Sequence, residues 1–359
     1  MRFPATVLST TAALVLVTAC TNGDLGSVNG NPPAARALQS SHIRHGSFVP
    51  VWSKYSSLVP VELRPSGPLA TLHNGAAKPN VTTGIYVSEF DGTEILFYPN
   101  PNRHNHGPLP CMSGPTSYVN GVAVDGTGNL IDPDGGTRTI ILFGGLSMCG
   151  HEYVALPDPY GQPSDAASAN ALTSKIVVAN IFDTSGAGSV SVCGLSAGCV
   201  LNLTNPAMYE VAGVALAKNG DCWASATNSS GTATLTYFKD CNGGGQQATG
   251  YLNAYFGGLD IDKAGNLVSI SAFDSELYVY KGCNPRCALV GGPFPLHNEA
   301  VYGHLDKRSL HLVAGDFALG QADVYSYQPT NVTYVYSFNT GLASSELVEG
   351  VAFDPRSKE

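Results

Sequence analysis

Charge is scarce in this chain: Asp, Glu, Lys and Arg together make up only 13% of its 359 residues. Long surface helices draw on Glu and Lys to face solvent, so a helix-dominated fold is disfavoured. The 18 basic residues form no run and do not interleave with aromatics, and the net charge is −9. Electrostatic binding of nucleic acid therefore has no basis. No Cys-x-x-Cys pair of the zinc-site kind occurs. The calcium-loop pattern D-x-[DN]-x-[DN]-G is absent, no nucleophile elbow is expected, and no spacing forces a Ser-His-Asp group. No cofactor is implied. What the chain does have is 41 glycines, 23 prolines and 43% hydrophobic residues, a mixture suited to short buried strands separated by turns.

The N-terminus has the anatomy of an export signal. Arg2 supplies a minimal positive start, and Ala12–Val17 is an apolar core too short to span a bilayer. Val17-Thr18-Ala19-Cys20 then resembles the bacterial lipobox. That resemblance implies a signal peptide over residues 1–19, a diacylglyceryl group on Cys20, and a place in the bacterial cell envelope, on its periplasmic or surface face. The lipid anchor would be the only membrane contact. Residues 20–60, rich in Gly, Asn, Ser, Pro and Ala, read as a flexible tether, and the folded domain is assigned to 61–359 with a partly irregular start. Setting Cys20 aside leaves eight of the nine cysteines, an even number that in an exported chain points to disulfides.

Beyond residue 80 the chain repeats. A short apolar strand begins near Gly121 (GVAVD), Gly213 (GVALA), Gly258 (GLDID), Gly303 (GHLD) and Gly350 (GVAFD), with a degenerate copy (SANAL) at Ser168. A second strand starts near Gly84, Gly128, Ser174, Gly220, Gly265 and Ser309, at intervals of 44 to 46 residues. Third strands follow as EILFY, TIILF, SVSVC, LTYFK, LYVYK and DVYSY. Four short antiparallel strands in each repeat of this length mark a propeller blade. The first unit lacks an opening strand and the last opening strand, at Gly350, has no unit after it. The expected fold is thus an all-β, six-bladed β-propeller of four-stranded antiparallel blades, closed by the C-terminal strand entering the first blade.

The segments Asn120–Leu130 (NGVAVDGTGNL) and Gly257–Ile270 (GGLDIDKAGNLVSI) resemble NHL repeats and the SMP-30/gluconolactonase propellers, over roughly residues 80 to 354. In the gluconolactonase-like relatives, metal ligands come from the residue just before the Gly of each first strand. The matching positions here are Asn120, Ala167, Ala212, Gly257, Tyr302 and Glu349. Only Asn120 and Glu349 carry ligand-type side chains, whereas calcium takes 6–8 oxygens. The relatives' metal site is expected to be missing, and a remnant pocket is expected at Asn120 and Glu349 with Tyr302 as a wall.

Strand placement suggests the cysteine pairs. Cys193 and Cys199 flank a turn, as do Cys283 and Cys287, and antiparallel pairing brings Cys222 to Cys241. Cα separations of about 4.4–6.8 Å are expected. Cys111 and Cys149 are paired only by exclusion. The Asp-x-x-Gly-Asn elements at Asp125 and Asp262 read as tight turns. His104 and His106 fall in a loop, and His297, Glu299, His304 and His311 fall in the sixth blade, where they read as scaffold.

Two functions are compatible with this sequence. The leading one is a non-catalytic binding or interaction module for a protein or small-molecule ligand. The alternative is a metal-dependent lactonase of the SMP-30 type using Asn120 and Glu349. A channel mouth lined by converging carboxylates and amides would favour the enzyme, and one lined by small apolar side chains would favour binding.

Overall fold

Most strands are apolar at consecutive positions, not merely at alternate ones. Ile85, Tyr86 and Val87 are all fully buried, and so are Ile140 and Ile141. Successive side chains of a strand leave opposite faces of its sheet, so each sheet here is covered on both faces. The structure, a computed structural model, describes residues 84–90, 94–99, 109–113, 116, 119–125, 128–143, 153–169, 175–194, 197–272, 274–338 and 347–354. The signal and tether, Cys20, His104, His106 and Cys149 lie outside the described residues, as does the side chain of Cys111.

Among the described residues there are six four-stranded antiparallel sheets. Five are sequential meanders, with inner strands β4 (Ala123–Val124), β8 (Gly161–Ser168), β12 (Glu210–Leu216), β16 (Leu259–Ile261) and β20 (Ala300–Leu305). The remaining sheet combines β1 (Ile85–Phe90), β2 (Glu94–Tyr98) and β3 (Leu109–Ser113) with β24 (Leu347–Phe353) from the far end of the chain. Ile85 lies opposite Phe353 and Val87 opposite Val351, so the C-terminal strand supplies the inner edge that the first blade lacks. Closure of this kind gives the first blade its fourth strand and fastens the two ends of the domain together.

The core is divided among the blade interfaces. Separate apolar clusters fill the joints between blades 1 and 2, 2 and 3, 3 and 4, 4 and 5, 5 and 6, and 6 and 1. In β1, Tyr86 enters the cluster shared with blade 2, while Ile85 and Val87 enter the one shared with blade 6. Burying a large apolar side chain contributes roughly 1.5–3 kcal/mol, and here each contribution joins one blade to its neighbour.

Near the axis the inner strands touch through their backbones. A Cβ on Gly213 would stand 2.1 Å from the carbonyl oxygen of Gly257, and one on Gly350 would stand 2.2 Å from that of Asn120. The recurring glycine of the repeat is thus a close-approach residue. The turns leaving the inner strands behave as expected. Asp125 accepts from the Asn129 backbone N–H at 2.8 Å and side-chain Nδ2 at 2.7 Å, and Asp262 does the same for Asn266, at 2.8 Å in both bonds. Gly128 and Gly265 take φ of 93° and 84° in those turns, a region that suits glycine.

Two blades depart from the expected phase. In blade 3 the inner strand is Gly161–Ser168, so the SANAL segment at Ser168 only begins where that strand ends. Its register puts Asp165 in the slot that Gly213 fills in blade 4, and Ser164, not Ala167, in the slot before it. In blade 6, His304 faces Val313, which places Tyr302 in the glycine slot and Val301 before it. Repeat spacing alone could not show this, because blade 3 has lost its marker glycine and blade 6 carries one shifted by a residue.

Cys193–Cys199, Cys222–Cys241 and Cys283–Cys287 are bonded, with Cα separations of 3.8, 5.2 and 4.0 Å. The first and third fall below the expected range. Cys193 and Cys199 face each other directly across a hairpin, and only three residues separate Cys283 from Cys287.

Candidate ligand site at the channel mouth

Once the blades are aligned by their strand register, one ring of positions stands out. Ala123, Ala167, Ala215, Asp260, His304 and Ala352 occupy the same place in their inner strands, one residue from each sheet. Four alanines leave the axis open at this level, and Asp260 and His304 project polar groups into it. These six residues all line a cavity of about 460 Å³. Because inner-strand residues of every blade contribute, the cavity lies at the mouth of the central channel, at the end where the inner strands turn back. Its volume is in the range of small-molecule pockets. Trp223 forms part of one wall, its indole Nε1 donating to the Cys283 carbonyl at 2.6 Å.

The polar pair is held by its own strands. Asp260 accepts from the backbone N–H of Leu305 at 2.8 Å through Oδ2 and from that of Ile261 at 2.6 Å through Oδ1. His304 Nδ1 lies 3.5 Å from Asp260 Oδ2, with side chains 14% and 26% exposed respectively. Burial alone would lower the imidazole pKa. The hydrogen bond and charge of Asp260, the charge of Asp165 and the Val122 backbone together outweigh burial and hold it above its ordinary value.

Asp165 completes the group. It sits two residues before the ring position in blade 3, is fully buried, and accepts from the Val214 backbone N–H at 3.1 Å. Its other oxygen lies 2.7 Å from where a Gly121 Cβ would be, in space that exists only because residue 121 has no side chain. Burial pushes its carboxyl up to about 7, and Asp260 adds to that rise, against the opposing pull of His304 and the Val214 and Ala166 N–H groups. A buried carboxyl held well above its ordinary range, beside a histidine whose pKa is also raised, is a frequent property of functional sites.

Asn120, Glu349 and Tyr302 do not line this cavity. Asn120 is fully buried and donates from Nδ2 to the Pro163 carbonyl at 3.2 Å. The Ser88 hydroxyl donates to the Asn120 carbonyl at 2.5 Å and accepts from Gly350 N–H at 2.9 Å, so the backbones beside Asn120 and Glu349 are fastened together. Glu349 is 2% exposed. Tyr302 packs with Ala212 and Phe256 in an apolar cluster deeper on the axis. Among the described residues, no group of three or more His, Cys, Asp or Glu is placed to hold a metal ion.

The remaining sequence candidates separate by environment. His311 is scaffold: its Nδ1 lies 2.8 Å from Asp306 Oδ2 within a turn. His297 lies against Tyr334, ring centres 4.0 Å apart, and 3.8 Å from Asp323. His304, expected to be scaffold, instead faces the cavity. Asp260 and Asp165 were not singled out at all. Counting back from the Asp-x-x-Gly turn, instead of forward from the glycine, would have put Asp260 and His304 in a column of alanines. One Gly-x-Ser-x-Gly string, Gly194–Gly198, does occur. Its two glycines pair with each other across a β-hairpin, whereas a nucleophile elbow needs a strand-to-helix turn.

By architecture and closure the chain is a six-bladed β-propeller with a cavity at one channel mouth. Comparison with solved structures agrees. It is similar to a chain in the crystal structure of a nidogen/laminin complex, with a TM-score of 0.56 at 13% identity, covering 77% of this chain and all of that one. It is also similar to a chain of the Kuenenia stuttgartiensis hydrazine synthase, with a TM-score of 0.51 at 12% identity, covering 83% of this chain and 92% of that one. Identities this low speak for the fold alone. No protein-family model matches the sequence, and no curated protein matches it.

Proposed function

We propose that this protein is an exported propeller, tethered to the cell envelope through a lipid on Cys20, that binds a small ligand at the channel mouth without transforming it. The observation that carries the reading is the ring of four alanines with Asp260 and His304. The alanines make room, and the pair offers a fixed acceptor and a donor to hydroxyl or amide groups of a ligand. The lipobox-like Val17–Cys20 supports the anchor, and the NHL-like repeat supports a place among propellers that serve as binding scaffolds.

A thermal-shift screen of small polar compounds tests this reading. Compounds that stabilise the wild type should lose that effect in Asp260→Asn and His304→Gln. Shifts that survive both substitutions would place the ligand elsewhere.

A hydrolase is the second reading, favoured by a histidine paired with a carboxylate inside a cavity. Assay against a lactone panel, with and without added calcium, zinc or manganese, separates the two. Turnover that His304→Gln abolishes would replace binding with catalysis.

A further inference from the structure

The turn that leaves each inner strand is closed by a backbone bond from its fourth residue to its first: Gly220 to Ala217, Gly265 to Asp262 and Ser309 to Asp306. Lys218, Lys263 and Lys307 are the second residues of these three turns, in three consecutive blades. All three are exposed and all three line the channel-mouth cavity. Lys263 N–H donates to the Ser309 hydroxyl at 2.9 Å, which fixes the turn of blade 5 against that of blade 6.

A positive arc of this kind is unexpected in a chain of net charge −9. The aspartates beside it are turned inward and occupied. Asp262 accepts from Ala264 and Asn266 N–H, from Asn266 Nδ2 and from the Tyr327 hydroxyl. Asp306 accepts from Arg308, Leu310 and His311 N–H, and Asp221 from Asp240 N–H and Asn219 Nδ2. All three aspartates are at most 6% exposed. No described carboxylate forms an ion pair with any of the three lysines. The ammonium groups are left to face whatever enters.

We infer that the ligand of the channel mouth is a small hydroxylated organic anion, its charged group held by Lys218, Lys263 and Lys307 at the rim and its hydroxyls by Asp260 and His304 within. This rests on the binding reading above and names the ligand class. Lysines are compact point charges that suit carboxylate, phosphate or sulfate oxygens without demanding one geometry. The floor pair supplies the hydroxyl recognition that a bare ion would leave unused.

Trp223 in the cavity wall gives a fluorescence readout for the full-length chain. Galacturonate, its uncharged counterpart galactose, citrate and inorganic phosphate are titrated at low salt. Galacturonate is expected to bind at least ~10-fold more tightly than galactose, from three exposed charge contacts of modest individual strength. That advantage should vanish in Lys218→Gln/Lys263→Gln/Lys307→Gln and shrink at 0.5 M salt, where screening is strong. Citrate or phosphate binding that the triple variant weakens would support the arc even if galacturonate is the wrong anion, and would assign the site to another oxyanion. Absence of saturable binding by all three anions overturns the inference, as does anion binding that the triple variant leaves unchanged. Galactose bound as tightly as galacturonate, and lost in Asp260→Asn, overturns the anion while leaving the mouth as the binding seat. Circular dichroism of each variant establishes that it is folded.

Discussion

Replacing Asp165 with Asn should change how the stability of the propeller depends on pH. In the folded protein burial raises this carboxyl from 3.8 to about 7. The folded state therefore holds the proton more tightly than the unfolded chain does. Stability from this group is complete below about pH 4, declines by about 1.4 kcal/mol per pH unit as pH rises, and levels off above about pH 7. The span of about 3 units corresponds to about 4 kcal/mol at pH 8. Asn keeps the shape, and its side-chain oxygen can still accept from Val214 N–H. The pull of that bond on the charged carboxylate is already contained in the folded value of about 7. Asp165→Asn should thus be near neutral at pH 4 and about 4 kcal/mol more stable than wild type at pH 8. His304 acts in the same direction in the wild type: its pKa is raised on folding, so its contribution is present below its unfolded pKa and lost as pH rises through the folded one. Urea denaturation of both proteins across pH 4–9 measures the difference, which includes the coupling of Asp165 to His304 that the substitution removes. Parallel curves, with no growth of the difference between pH 4 and 7, would refute the claim that a buried carboxylate at residue 165 is what the channel strains to ionise.

Gly213→Ala should cost more than about 2 kcal/mol, because the new Cβ meets a backbone carbonyl of the next blade at 2.1 Å and backbone cannot step aside; chemical denaturation measures it. Cys222→Ala/Cys241→Ala should lose about 3 kcal/mol, the loop-closure value for a cross-link of this span, and more than the equivalent change at Cys283 and Cys287, whose loop is far shorter. Asn120→Ala/Glu349→Ala should alter stability and leave ligand shifts intact, since neither residue lines the cavity; loss of metal-dependent lactone turnover in this pair would promote the enzyme instead. Cys20→Ser should block lipidation and maturation of the signal-bearing precursor; normal cleavage and soluble release of this variant, read by fractionation and immunoblotting of the producing cells, would rule the anchor out.

What the sequence determined by itself was the architecture. The interval between second strands, the unpaired opening of the first unit and the orphan strand at Gly350 together required a closed ring of six blades, because the physics of exposed sheet edges leaves no other use for that strand. The Asp-x-x-Gly-Asn turns were legible for the same reason: their bonds are local, and so is the pattern that encodes them. The group at the channel axis was not legible. Asp165, Asp260 and His304 come from three blades, and no sequence interval states that their side chains meet on one axis. Their meeting depends on register, and a shift of one residue turns a side chain to the opposite face. Blade 3 had no glycine to mark its register and blade 6 had one displaced, so the ring read from glycines mixed three levels of the channel. Lys218, Lys263 and Lys307 looked like ordinary turn residues in an acidic chain. Only the closing of the ring set them around one opening, because convergence at an axis is a property of the whole circle and of no single blade.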